Sequence, residues 1–178
     1  MKNERNIGIV RHMDDLGRIV VPKEVRKQLG IEAEDAVEIS VSGRTIHMRK
    51  YQPLQTLETL CRTYLDAFGK SCKAVCLVCS TEKVIATRGM ELSTELLLSD
   101  EVRNYIKNQK EYQFAEAFQI SLFENSRYLV DSIYPVGMAG NPMGAVILIH
   151  FRDATPVERG CAKYLADILS ELIKQNEV

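Results

Sequence analysis

Asp14-Asp15-Leu16-Gly17-Arg18-Ile19-Val20-Val21-Pro22-Lys23-Glu24-Val25-Arg26-Lys27-Gln28-Leu29-Gly30 is the stretch that decides the fold of the amino-terminal segment. Asp14 to Gly17 punctuate a turn, and the β-branched run Arg18 to Val21 reads as the strand that leaves it. The strand that enters it is Ile7 to Met13. Pro22 then opens a short helix, Lys23 to Leu29, which stops at Gly30, a residue suited to the left-handed cap conformation. A helix of two turns is not stable unaided, so something must hold it.

Downstream, Ala36 to Val41 and Thr45 to Lys50 flank Ser42-Gly43-Arg44 as a second strand pair, with Val37, Ile39 and Val41 alternating against Glu38 and Ser40. The unit is ββαββ. It has no disulfide framework and no metal-ligand set. So small a unit buries too little apolar surface to offset an ordering entropy of roughly 1–2 kcal/mol per residue. An intertwined dimer would solve that problem.

Gly8-Ile9-Val10-Arg11, the stretch Asp14 to Lys27 and Leu29-Gly30-Ile31 resemble the AbrB-type swapped-hairpin DNA-binding domain, over residues 5–51. The resemblance implies an intertwined dimeric barrel that contacts double-stranded DNA through Arg11, Arg18, Arg26 and Lys27, with His12 and Lys23 in the same basic set. It also implies a preference for flexible A·T-rich segments read through DNA shape. Lys27 stands where arginine is frequent, which keeps the charge and loses the bidentate fork. His12 stands where a lysine is common, and a surface histidine is mostly neutral at pH 7.

Charge is a weaker signal. The formal net charge of the 178 residues is -1. Residues 1–50 carry ten Lys or Arg against eight Asp or Glu, and residues 51–178 carry thirteen against sixteen, so the halves differ in sign. The longest apolar stretch, Met143 to Ile149, is too short to span a bilayer, and Met-Lys-Asn-Glu-Arg lacks the apolar region of a signal peptide. The expected location is the cytoplasm, on the nucleoid, with no membrane contact. Five cysteines, Cys61, Cys72, Cys76, Cys79 and Cys161, are an odd set, so reduced thiols are expected. Cys76-x-x-Cys79 lies in a β-like run where residues three apart face opposite ways, which favours two small core residues over a zinc or redox pair.

Tyr51-Gln52-Pro53 marks the joint between a DNA-binding domain at 1–52 and a second domain at 53–178. In the second, Leu57, Leu60, Cys61, Tyr64, Leu65 and Phe68 give one apolar helical face ending at Gly69. Strands come next at Ala74 to Cys79 and Val84 to Thr87, then a helix near Asp100 to Gln109 with Ser99 as N-cap. Ala117 to Phe123, Tyr128 to Val136 and Ala145 to Phe151 read as three more strands. The last helix has Thr155 as N-cap, Pro156 at its first position and Glu158 closing a capping box. The class is α+β with an antiparallel sheet.

This order resembles a GAF domain over residues 54–177, with Tyr134-Pro135-Val136 and Pro142-Met143-Gly144-Ala145-Val146 in its closing hairpin. The resemblance implies that the first and last helices pack together and that Leu57, Leu60, Leu65, Ile168 and Leu172 pair with another chain, giving a homotetramer. It also implies a pocket for an unidentified small effector around Arg88 to Leu98, Phe118 and Ile133. No cofactor is expected, and His12, His47 and His150 are scattered over different elements with no metal cluster.

Taken together, the sequence points to a non-enzymatic transcription regulator, activator and repressor, of a developmental programme such as sporulation. Two alternatives remain open. One is a GAF-fold thiol enzyme of the methionine sulfoxide reductase kind, using Cys72, Cys76 and Cys79. The other is an antitoxin, whose tail is ordinarily short and disordered where this one reads as folded.

Overall fold

The chain divides into two compact units, residues 1–51 and 52–178. The structure is a computed structural model and describes residues 8–33, 35–92, 94, 96–138 and 140–176.

Asp14 builds the first turn. Its Oδ1 accepts the backbone N–H of Leu16 at 3.0 Å and of Arg18 at 2.8 Å, and its carbonyl accepts that of Gly17 at 2.9 Å. Gly17 has a φ of 76°, which glycine adopts without steric cost. The helix α1, Lys23–Gln28, begins after Pro22. It closes in a Schellman motif: Gly30 N–H reaches the Lys27 carbonyl at 3.3 Å and Ile31 N–H the Arg26 carbonyl at 2.8 Å. That cap turns Ile31 inward. The strands β1, Val37–Ser42, and β2, Thr45–Lys50, pair antiparallel from Val37 opposite Lys50 to Ser42 opposite Thr45.

The strands expected at Ile7 to Met13 and Arg18 to Val21 are not formed in the single chain. Ile7 lies outside the described residues, and residues 8–13 and 18–21 are in neither helix nor strand. The hairpin is closed by Asp14 N–H to the Arg18 carbonyl at 3.0 Å. The physical reason is burial. Among the described residues of this unit, Ile31 is the one buried apolar side chain, while Val10 (81%), Val20 (79%) and Val41 (72%) stand in solvent with Ile9, Met13, Leu16, Ile19, Ile39 and Ile46. Each such side chain left in water forgoes about 1.5–3 kcal/mol.

The second unit has the core that the first lacks. It starts with α2, Pro53–Thr56, and α3, Glu58–Ser71. The strands β3, Val75–Ser80, and β4, Val84–Arg88, precede α4, Asp100–Lys107. Then come β5, Tyr112–Gln113, β6, Val130–Met138, β7, Asn141–Ile149, and α5, Pro156–Asn176. The five strands form one antiparallel sheet in the order β4-β3-β7-β6-β5. Alternation divides its side chains: Leu77, Cys79, Ala145, Ile147 and Ile149 pack with Val102 and Ile106 of α4. Cys76, Val78, Val146 and Leu148 take the opposite parity, toward α3 and α5. The two cysteines of the Cys76-x-x-Cys79 pair therefore serve two different cores.

Two elements depart from expectation. α3 does not stop at Gly69 but runs on to Ser71; Gly69 instead makes room for Arg88, whose Nε would lie 2.4 Å from an added Cβ. Ala117 to Phe123 is not a strand. Ile120 and Leu122 are buried with the period of two that a strand shows. They extend no strand ladder, however: Leu122 N–H reaches the Tyr128 carbonyl at 2.7 Å and the Ile120 carbonyl accepts from Val130 N–H, at the start of β6, at 2.8 Å.

The α5 N-terminus anchors this unit. Glu158 accepts from Thr155 N–H at 2.9 Å and its own N–H donates to Thr155 Oγ1 at 3.2 Å, completing the capping box. The same carboxylate accepts from Lys73 and Ala74 N–H at 2.9 and 2.8 Å and from the Arg152 guanidinium at 2.6 Å, so it ties α5 to the end of α3. Arg152, opposing burial, holds Glu158 far below its ordinary value of 4.5.

Two outcomes are expected. A carboxylate with a depressed folded pKa stabilises above its unfolded value and loses that contribution as pH falls toward the folded one. Urea unfolding of the full chain should therefore weaken below about pH 4.5, and Glu158→Gln should cost about 1.5–3 kcal/mol at neutral pH and flatten that acid slope. Gly144→Ala should cost about 1–3 kcal/mol in the same assay, since a Cβ there would lie 2.0 Å from the Cys79 carbonyl oxygen, which belongs to the backbone and cannot yield.

Candidate nucleic-acid interface

Arg11, His12 and Arg18 line one open cleft with Asp14, Ile19 and Val20. The turn sets two of them. Asp14 Oδ2 accepts from Arg18 Nε at 2.7 Å, so the residue that shapes the turn also aims the arginine leaving it. Hydrogen bonds from the Arg18 backbone and side chain hold the Asp14 carboxyl below the usual range, which keeps it ionised beside the guanidinium. Arg11 lies on the entering arm, with Nη1 on the Val10 carbonyl at 3.0 Å.

Lys23, Arg26 and Lys27 form a second group. At i, i+3 and i+4 they share one face of α1. Lys23 and Lys27 are exposed and Arg26 is half-buried. On β1 and β2 the positive charges are already matched: Arg49 holds Glu38 bidentately at 2.9 and 3.0 Å, and Lys50 meets Asp35 at 3.0 Å. Arg44, between these strands, is exposed like Arg11 and Arg18 beside the first turn and Lys23 and Lys27 on α1.

Of the positions expected to join subunits, Leu57, Leu60, Ile168 and Leu172 are partly exposed, whereas Leu65, 1% exposed, is spent in its own core. A groove between α3 and α5 is lined by Tyr64, Phe68, Cys161, Tyr164, Leu165 and Ile168. One cavity lies away from the stretch Arg88 to Leu98. Ile133 is fully buried, and the cavity beside Phe118 is lined by Glu101, Asn104, Tyr105 and Lys110.

One meeting of side chains is invisible in the sequence. Asp131 sits where the β6–β7 register shifts, and that bulge turns it under the sheet end. There Arg159 grips it with Nε and Nη2, both at 2.9 Å, and Ala154 N–H donates at 3.1 Å. His150 Nδ1 stands 3.6 Å from the same carboxylate and 3.9 Å from Asp153, so these three could in geometry approach a cation. The Arg159 guanidinium already occupies Asp131, and the cluster acts as an ion-pair tie between β6 and α5.

Residues 56–174 match the family described as stage V sporulation protein T C-terminal, transcription factor. Over 176 residues the chain is 30% identical to stage V sporulation protein T of Bacillus subtilis (strain 168), covering 94% of this chain and 98% of that relative. The chain belongs to the stage V sporulation protein T family. It is a DNA-binding transcription regulator of the sporulation and transition-state class. Residues 14–56 of this family member also match the family described as antidote-toxin recognition MazE, bacterial antitoxin. Over 54 residues it is 46% identical to transition state regulatory protein AbrB of Bacillus subtilis (strain 168), covering 30% of this chain and 56% of that relative. The solution structure of the N-terminal DNA recognition domain of that regulator is 52% identical, covers 26% of this chain and 87% of its own, and superposes with a TM-score of 0.24. No helix among the described residues is long and apolar enough to cross a membrane.

Proposed function

We propose that two copies of residues 1–52 interlock and present Arg11, His12, Arg18, Lys23, Arg26 and Lys27 to A·T-rich duplex DNA in the cytoplasm. One observation carries this reading: the side chains that a single copy leaves in water, Ile9, Val10, Ile19 and Val20, lie on the same two arms as Arg11 and Arg18. Covering the former fixes the latter. Dimerisation therefore supplies both the missing core and a rigid, doubled set of cations.

Residues 53–178 serve as the assembly and sensing domain, of GAF-like type. The α3 and α5 faces around Leu57, Leu60, Ile168 and Leu172 pair with another copy, so that dimers join into a tetramer. The groove floored by Phe68 and Leu165 supports that role, as does Tyr164, which is 67% exposed beside it. A small effector in the cavity of Glu101, Tyr105, Lys110 and Phe118 would tune DNA affinity if it bound the DNA-competent arrangement more tightly. The amino-terminal antitoxin match does not make the chain an antitoxin on this reading, because residues 56–174 belong to a folded unit of the transcription-factor family.

The test is salt-dependent DNA binding. Arg11, Arg18, Arg26 and Lys27, doubled in a dimer, give about eight phosphate contacts and a log–log salt slope of roughly -7. Arg11→Ala and Arg26→Ala should each weaken operator binding by at least about 30-fold at fixed salt, taking two lost contacts at ~1–3 kcal/mol. Each should also make the slope shallower by about 2, with an unchanged circular dichroism spectrum. Parent-like binding by both variants would refute the assignment.

A further inference from the structure

Asp14 and Arg18 are joined by more than a turn requires. Asp14 N–H donates to the Arg18 carbonyl at 3.0 Å, and Arg18 N–H donates to Asp14 Oδ1 at 2.8 Å. Arg18 Nε then donates to Asp14 Oδ2 at 2.7 Å. One carboxylate oxygen closes the turn, and the other is given to the side chain. All of these contacts lie within residues 14–18, so a second copy that covers the apolar arms need neither make nor break any of them.

The grip on this guanidinium differs from that on Arg49, Arg62 and Arg159. Each of those meets its carboxylate through Nε and Nη2 together, which spends the fork on the protein itself. Arg18 gives Asp14 its Nε, and among the described residues its Nη1 and Nη2 make no hydrogen bond. The side chain stays 72% exposed. Arg11, in the same cleft, instead turns Nη1 back on the Val10 carbonyl. An exposed pair such as Asp14–Arg18 adds little to stability, so its stronger effect is on where a long side chain points. Nη1 and Nη2 are the end of the fork that suits two acceptors side by side, either two phosphate oxygens or guanine O6 and N7.

We propose that Asp14 is a positioning residue for DNA recognition, which holds Arg18 by Nε so that its two Nη nitrogens meet paired acceptors on the duplex end-on. This rests on the reading of Arg18 as a DNA contact. A free arginine loses rotamer freedom when it binds, one already held loses less, and a dimer counts that gain twice. Without such a role the carboxylate would only oppose binding, as a negative charge beside phosphates. Positioning and repulsion therefore give opposite signs for its removal. Asparagine separates the two roles of the side chain. Its Oδ1 can accept the same backbone N–H groups of Leu16 and Arg18, whereas its Nδ2 is a donor and cannot accept from Arg18 Nε.

The experiment measures binding of the full-length parent, Asp14→Asn, Arg18→Ala and the double variant to one duplex, selected by the parent from a random-sequence pool. Asp14→Asn should weaken binding by about fivefold or more, Arg18→Ala should weaken it further, and the double variant should bind no worse than Arg18→Ala alone. In the same duplex, 7-deazaguanine or methylphosphonate substitution that weakens the parent but not Arg18→Ala identifies the paired acceptor as guanine or as phosphate. Binding by Asp14→Asn as tight as the parent's or tighter, while Arg18→Ala still loses affinity, would overturn the proposal and leave the Arg18 contact standing. Losses that multiply in the double variant would do the same. Parent-like binding by Arg18→Ala would overturn both. The parent carries a readout that needs no variant to fold: in the free protein, Arg18 Nε–H should exchange with water more slowly than that of exposed Arg44, and equal exchange would overturn the proposal.

Discussion

A segment that cannot bury its own apolar side chains must borrow a surface to bury them, and the rest of this molecule is arranged around that constraint. The amino-terminal unit has well-made local structure: the Asp14 turn, the Schellman cap on α1, and a regular hairpin of β1 and β2. None of it creates an interior, since Ile31 is the one buried apolar side chain among its described residues. Local hydrogen bonding sets the shape of the arms, and burial against a second copy supplies the stability. The same geometry couples folding to recognition, because the turn that dimerisation would fix is the turn that holds Arg18.

The second unit is built the other way. Its sheet is covered on both faces, and its ends are tied by two carboxylates that sequence distance separates widely from their partners. Glu158 joins the α5 cap to the end of α3, and Asp131 joins a bulge in β6 to Arg159. Burial would raise the Asp131 pKa, yet the Arg159 fork and the Ala154 N–H lower it overall. The two ties fix the ends of the sheet against the helices that cover it.

Much of this is legible in the residues. Asp14-Asp15-Leu16-Gly17, Pro22 and Gly30 each carry a conformational instruction that survives any context, so the turn and α1 lie where the sequence puts them. The same holds for Ser99 as the cap of α4 and for Thr155 with Glu158 at α5. The readings that fail are those in which periodicity stands for pairing. Ile120 and Leu122 alternate as in a strand but extend no ladder, and the arms around Asp14 have strand composition that a single copy leaves without a strand to pair with. Helical spacing puts Leu65 among the interface residues, but spacing marks a buried face without saying what buries it. The meeting of Asp131 with Arg159 depends on register and helix packing, and spacing along the chain carries neither.

The most direct test of the central claim is the association state of residues 1–53 by sedimentation equilibrium, read beside the amide spectrum of the same fragment. A dispersed, folded spectrum should appear only where the fragment sediments as a dimer, and both should vanish together on dilution or in urea. A monomer that keeps a well-dispersed spectrum would contradict the claim, because it would show that the exposed Ile9, Val10, Ile19 and Val20 need no second copy to cover them.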